Sequence, residues 1–237
     1  MERDTLDPAE LLDKAFSIEY SVIINPDTEV VAVTETRLTH KMHRRATTVL
    51  SQAALRASVP LEALDQLRTY VVKNLHHHHE TEDHQLWPMI VDAAPDIAAA
   101  MGSLSEEHDQ LDAALDALEL ASIAGDADRE NLHRVAEAVR ELVHRHLEHE
   151  EPVLFPALTQ YVSAQSWAAF SQQVIATSPV EAAHLTVGFF DEVGTPEEVA
   201  LVLSGLPEPA QQFVPAMREQ ARADLEVLSG TTGSGER

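Results

Sequence analysis

A displacement of 68 positions brings the unusual residues of this chain into register. His40 falls on His108, His78 on His146 and Glu82 on Glu150, and Leu86-Trp87-Pro88 falls on Leu154-Phe155-Pro156. Within each copy the second histidine follows the first by 38 residues, and the glutamate comes four residues later. Residues four apart on a helix share a face, so each His-x-x-x-Glu pair presents an imidazole and a carboxylate side by side. Those are donors for hard or borderline cations such as iron, manganese, zinc or copper. Thiolate chemistry is absent, because the chain has no cysteine.

For these groups to meet, helices must carry them. The apolar period is helical over residues 38–57, 61–87, 104–124 and from 128 past His146. Pro60, Pro88, the Gly102-Ser103 pair, Gly125 and the prolines at 152 and 156 are expected to bend or end these segments. Residues 30–36, VVAVTET, read as extended, and Leu6 to Ile18 as a short helix. The first two long helices form one αα-hairpin and the next two its repeat. The fold class is all-α: an antiparallel four-helix bundle of two pseudo-symmetric hairpins with a helical C-terminal extension. Its parts are a lead segment over 1–36, the bundle over 37–163, the extension over 164–229 and a flexible tail over 230–237.

The apolar stripes say which way the donors point. Leu64, Leu67, Val71, Leu75, His78, Glu82, Leu86 and Met89 step by three or four along the second helix. Val135, Val139, Leu142, His146, Glu150 and Val153 do so on the fourth, and Leu104, His108, Leu111, Leu115 and Leu118 on the third. A buried carboxylate without compensation costs several kcal/mol, roughly the effective desolvation of one ion. A buried imidazole must likewise satisfy both ring nitrogens, so two glutamates and four histidines converging in one bundle core need a common partner, and a pair of metal ions supplies it. His76 with Glu80 and His144 with Glu148 repeat at the same interval, but the turns before them carry Asp65, Thr69 and Lys73, and Glu137, Arg140 and Glu141. That second frame belongs on the wet side.

The charge balance narrows the partners. Sixteen basic against 40 acidic side chains leave a formal charge of −24, which disfavours nucleic acid and anionic membrane surfaces. No apolar run is long enough to span a bilayer, and MERDTLDPAE lacks a basic-then-apolar leader pattern, so a cytoplasmic protein is expected.

His40, the stretch HHHHETEDHQLWP at 76–88, the EEHD stretch around His108 and HRHLEHEEPVLFP at 144–156 resemble the hemerythrin-like, or HHE cation-binding, family. The resemblance covers roughly residues 36–163. It implies a non-heme centre of two iron ions joined by an oxo or hydroxo bridge. His40, His78, His108 and His146 would be terminal ligands, and Glu82 and Glu150 bridging carboxylates; zinc or manganese would also suit the donor types. It further implies a small diatomic or peroxide ligand: oxygen, nitric oxide or hydrogen peroxide. Rival readings are a peroxide-decomposing or nitric-oxide-consuming enzyme, and an iron store or iron/oxygen sensor without turnover.

Two positions depart from the oxygen-carrying members. Asp112 stands where those have a second histidine on the third helix, and the fourth-helix carboxylate comes four rather than five residues after the histidine. Reversible oxygen carriage is thereby disfavoured. His43 reads as core filler, His79 as a side approach to the centre, and His84 and His149 as outside it. Beyond residue 163 no motif has chemical meaning, but Trp167, Phe170, Val174, His184, Leu185, Phe189 and Phe190 need burial. They are expected to cap one end of the bundle and narrow access to the metals, with His184 packed among them.

Overall fold

A computed structural model of the chain describes residues 30–230. The expected helix over Leu6–Ile18 and the stretch 231–237 lie outside those residues. Among the described residues every element is helical and there is no strand. The long elements are α1 (Val31–Ala54), α2 (Leu61–Thr81), α4 (Ala98–Glu119) and α5 (Arg129–Tyr161). A π-turn (Glu82–Leu86) and α3 (Trp87–Ala93) continue α2. Five shorter helices follow: α6 (Ala164–Thr177), α7 (His184–Val193), α8 (Pro196–Ser204), α9 (Glu208–Gln211) and α10 (Val214–Ser229).

α1 packs on α5, α5 on α4, α4 on α2 and α2 on α1, closing a ring of four helices. Leu38, Leu50, Leu64, Leu67, Leu115 and Leu118 fill its centre and are at most 1% exposed. Full burial of one such side chain is worth about 1.5–3 kcal/mol, so this layer supplies the main cohesion. A second apolar cluster surrounds Leu86, Trp87, Ile90, Leu154 and Leu158, on the far side of the polar residues from the first.

Several helix ends differ from the sequence reading, each for a physical reason. Residues 31–36 are the first turns of α1 rather than extended, because Ala32 and Val33 pack into the second cluster with Trp167 and Phe170. The β-branched residues there are overridden by burial, since propensity is a weak prior. α4 starts at Ala98 and runs through Gly102, where a Cβ would meet nothing within 4 Å. Its other end falls at Glu119, earlier than expected. Pro88 does not stop the second helix: the Trp87 amide donates back to Glu82, five residues away, and the π-turn absorbs the proline. α5 continues through Pro152 and Pro156, both on its exposed side, where water can serve the carbonyls they leave unbonded.

The C-terminal helices lie along the flank of α1 rather than across an end of the ring. Arg37 pairs with Glu198, Arg45 with Glu192, and Arg56 donates to the Leu228 carbonyl, so contacts follow α1 over most of its length. Leu185, Phe189, Phe190, Val199 and Leu228 join the main core there. The reason is that α1 presents apolar residues on more than one face. Gly188 permits the closest approach: a Cβ at that position would sit 2.6 Å from the Ala221 Cβ, so α7 and α10 touch backbone to side chain. His184 is buried and bonded through Nε2 to Asp224 at 2.8 Å, a packed histidine.

Candidate metal centre

Between the two apolar clusters the four long helices converge on a polar core. His40 comes from α1, His78 from the last turn of α2, Glu82 from the first position of the π-turn, His108 from α4, and His146 and Glu150 from α5. His40, Glu82, His108, His146 and Glu150 are all 2% exposed or less, and His78 is half-buried. Ligand-type atoms of His40, His78, Glu82 and Glu150 lie within 4.8 Å of one another. His108 and His146 complete the cluster, their Nε2 atoms 3.1 Å apart.

The carboxylates stand between the histidine pairs. One Glu82 oxygen is 3.5 Å from His78 Nε2, and its other oxygen is 3.7 Å from His108 Nε2. Glu150 Oε2 is 3.8 Å from His40 Nε2 and 3.2 Å from His146 Nε2. Each glutamate therefore reaches one histidine from each copy of the repeat. His40 Nε2, His78 Nε2, Glu82 Oε2 and both Glu150 oxygens are buried with no hydrogen-bond partner among the described residues. Such groups cost about 1–3 kcal/mol each if left so, more when charged. A cluster of them in one place fits a cation, and the donor set of imidazole and carboxylate fits iron, zinc or manganese.

A layer of outer carboxylates orients the histidines. Asp83 takes His108 Nδ1 at 2.9 Å, Glu151 takes His40 Nδ1 at 3.2 Å and Glu107 takes His146 Nδ1 at 3.0 Å. A proton on each Nδ1 donates outward and leaves the Nε2 lone pair aimed at the centre, the arrangement that holds metal-ligating histidines. Asp83 and Glu151 are themselves related by the 68-residue displacement, as are His40 and His108. The sequence reading missed them, although the repeat marks both. Glu107 has no such signal: the matching position is Thr39, and among the described residues the matching histidine, His78, has no outer carboxylate.

Electrostatics follow the crowding. Burial, then the charge of Glu150, pushes the Glu82 carboxyl well above its usual range. Burial pushes Glu150 the same way, but His40, His146 and His108 outweigh it and hold that carboxyl low. Burial acts against a charged His146, yet Glu150 and Glu107 raise it above an ordinary histidine.

Two further histidines line the centre. His43 is 3% exposed, its ring 4.8 Å from that of His78, and burial pushes it down to about 3. His79 is 2% exposed, stacks on His108 at 4.5 Å and is bonded to Asp112 at 2.9 Å. Burial brings it to about 4. Asp112 thus holds a neighbouring ring rather than pointing inward. The second frame lies outside: His76 faces Asp112 and Asp116, His144 reaches the Arg44 carbonyl at 3.4 Å, and Glu80 and Glu148 are exposed. His84 and His149 are exposed as well.

A family model, the hemerythrin HHE cation-binding domain, matches residues 31–158. No curated protein and no solved structure matches the chain. The match begins at the first described turn of α1, spans every residue of the polar core and covers more than half of the sequence. The chain belongs to the hemerythrin HHE cation-binding family.

Proposed function

We propose that this chain is a non-heme di-iron protein that binds or reacts with oxygen, nitric oxide or hydrogen peroxide. Its setting would be oxidative or nitrosative stress handling in the cytoplasm. The ring of α1, α2, α4 and α5 is read here as an antiparallel four-helix bundle whose two hairpins each bring one histidine pair. His40 and His78 would hold one metal ion, His108 and His146 the other, with Glu82 and Glu150 bridging. The observation that carries this reading is the placement of Glu82, with one oxygen toward His78 and the other toward His108. When bound, iron supplies a redox-active ion with positions open to small ligands.

The chain's own residues then do three things. Glu151, Asp83 and Glu107 fix the tautomers of three ligating rings. Leu86, Trp87 and Leu154 bury one side of the centre and keep bulk water from it. His43 and His79 add neutral imidazoles at the edge, each able to donate or accept one hydrogen bond. Among the described residues no helix is long and apolar enough to cross a membrane, which agrees with the proposed location. The test is nitric oxide and peroxide titration of the iron-loaded protein followed by absorption spectroscopy. Oxygen is added to the ferrous form in a third titration; spectral change that saturates with any of the three ligands supports the reading, and a spectrum indifferent to all three removes it.

A further inference from the structure

The flank where the C-terminal helices meet α1 and α2 is not fully packed. It contains a cavity of about 480 Å³ whose inner end reaches His43, His78 and Glu82. A water molecule takes about 30 Å³ of liquid volume, so a diatomic gas or peroxide needs only a small part of this space. The volume is that of a small-molecule site. Its walls are mainly apolar: Met42 and Leu86 from the bundle side, Phe170 and Val174 from α6, Phe190 from α7 and Ala210 from α9. Among the described residues no lysine or arginine lines it, and the two carboxylates that do are Glu35 and Glu82. Glu35 is already engaged, accepting from the Trp167 indole at 2.7 Å and from Ser171 at 3.4 Å. In the iron-free protein no lysine or arginine among the described residues would balance an anionic ligand there.

The inner end adds an imidazole to walls that elsewhere carry only scattered hydroxyl and amide groups, such as Thr36, Asn74 and Thr186. The His43 ring makes no hydrogen bond among the described residues, and an imidazole presents one donor and one acceptor. A hydroxyl-type head matches that pair, while an apolar tail matches the walls.

We infer that the cavity binds a neutral apolar molecule with a hydroxyl-type head, seated with the head at His43 and the tail between α6, α7 and α9. Its position beside a metal pair rests on the function proposed above; its occupancy does not. The C-terminal extension is then one wall of a second ligand site.

The experiment uses the full chain, iron-free and iron-loaded, with the fluorescent probe N-phenyl-1-naphthylamine. Binding is read from probe emission and from energy transfer out of tryptophan, since Trp167 lines the cavity. Displacement by 1-decanol is compared with displacement by decanoate. Val174→Trp and Ala210→Trp fill the cavity from two different helices, and iron content and melting temperature are measured on each. Expected are saturable one-to-one binding to both forms, displacement at least tenfold better by the alcohol, and at least tenfold weaker binding in either folded variant. Absence of saturable binding, equal displacement by the anion, or unchanged binding in the variants would overturn the inference. Should a variant not fold, the alcohol-against-anion comparison on the natural chain decides. Probe binding without iron uptake would retain this inference and remove the proposed function; iron uptake without probe binding would do the reverse.

Discussion

Replacing Asp83 by Asn and Glu151 by Gln keeps the shape of each side chain while removing the charge behind His108 and His40. Loss of such an outer partner typically lowers metal affinity about 10- to 100-fold, or roughly 1.4–2.7 kcal/mol. The structure ranks the two. Asp83 receives His108 Nδ1 at 2.9 Å and the Ser105 hydroxyl at 2.5 Å, and among the described residues no arginine pairs with it. Glu151 receives His40 Nδ1 at 3.2 Å and is already neutralised by Arg44 at 2.5 Å. Its charge is therefore shared, and Glu151→Gln is expected near the low end of the range and Asp83→Asn near the high end. The assay is anaerobic competition for ferrous iron against a chromophoric chelator, with melting of the iron-free proteins as a control for folding. Iron affinity unchanged in both variants would refute the orienting role, and a larger loss in Glu151→Gln would refute the ranking.

Three further outcomes follow from the packing and the charges. Gly188→Ala would place a Cβ 2.6 Å from that of Ala221, which has no rotamer to yield, so α7 and α10 must separate at about 1–3 kcal/mol; a melting temperature at or above the natural chain's, as helix propensity alone would give, contradicts this. Glu137 is held at about 2 by Arg140 and by the Ser51 hydroxyl. A carboxyl with a depressed folded-state pKa contributes stability above its unfolded value, and that contribution is lost as pH falls toward the folded one. Glu137→Gln should thus lower stability at pH 7 by less than about 1 kcal/mol, the side chain being partly exposed, with the difference shrinking between roughly pH 4.5 and 2. Equal deficits at pH 7 and pH 3 in chemical denaturation would show that the charge is not responsible. His184→Ala breaks the contact to Asp224 and should lower the melting temperature while leaving iron content as it was; lost iron would tie that helix to the centre.

The polar core was legible because burial of titratable groups leaves a pattern. His78 and Glu82 continue a stripe of Val71 and Leu75, and the repeat selects the same positions on α5. The outer carboxylates were legible in part: Asp83 and Glu151 obey the repeat, but each follows a glutamate already accounted for and sits on no apolar stripe. Helix limits were less legible. Gly102, Pro88, Pro152 and Pro156 are local breakers, and only exposure or a π-turn, both tertiary facts, lets the helices pass them. The placement of α6 to α10 was not legible, since an amphipathic helix states that it needs an apolar surface without saying which one. α1 offered two, and the flank rather than an end received the extension.

The account stands most directly on anaerobic ferrous titration of three proteins: the natural chain, the His78→Ala/His146→Ala double variant and the His76→Ala/His144→Ala double variant. His78 and His146 face the buried glutamates, whereas His76 and His144 lie toward the surface. Saturation at two irons per chain in the natural protein and the His76/His144 variant, with both sites weakened or lost in the other, is the predicted result. Saturation at one iron in the natural chain, or two irons retained by the His78/His146 variant and lost from the His76/His144 variant, would contradict it.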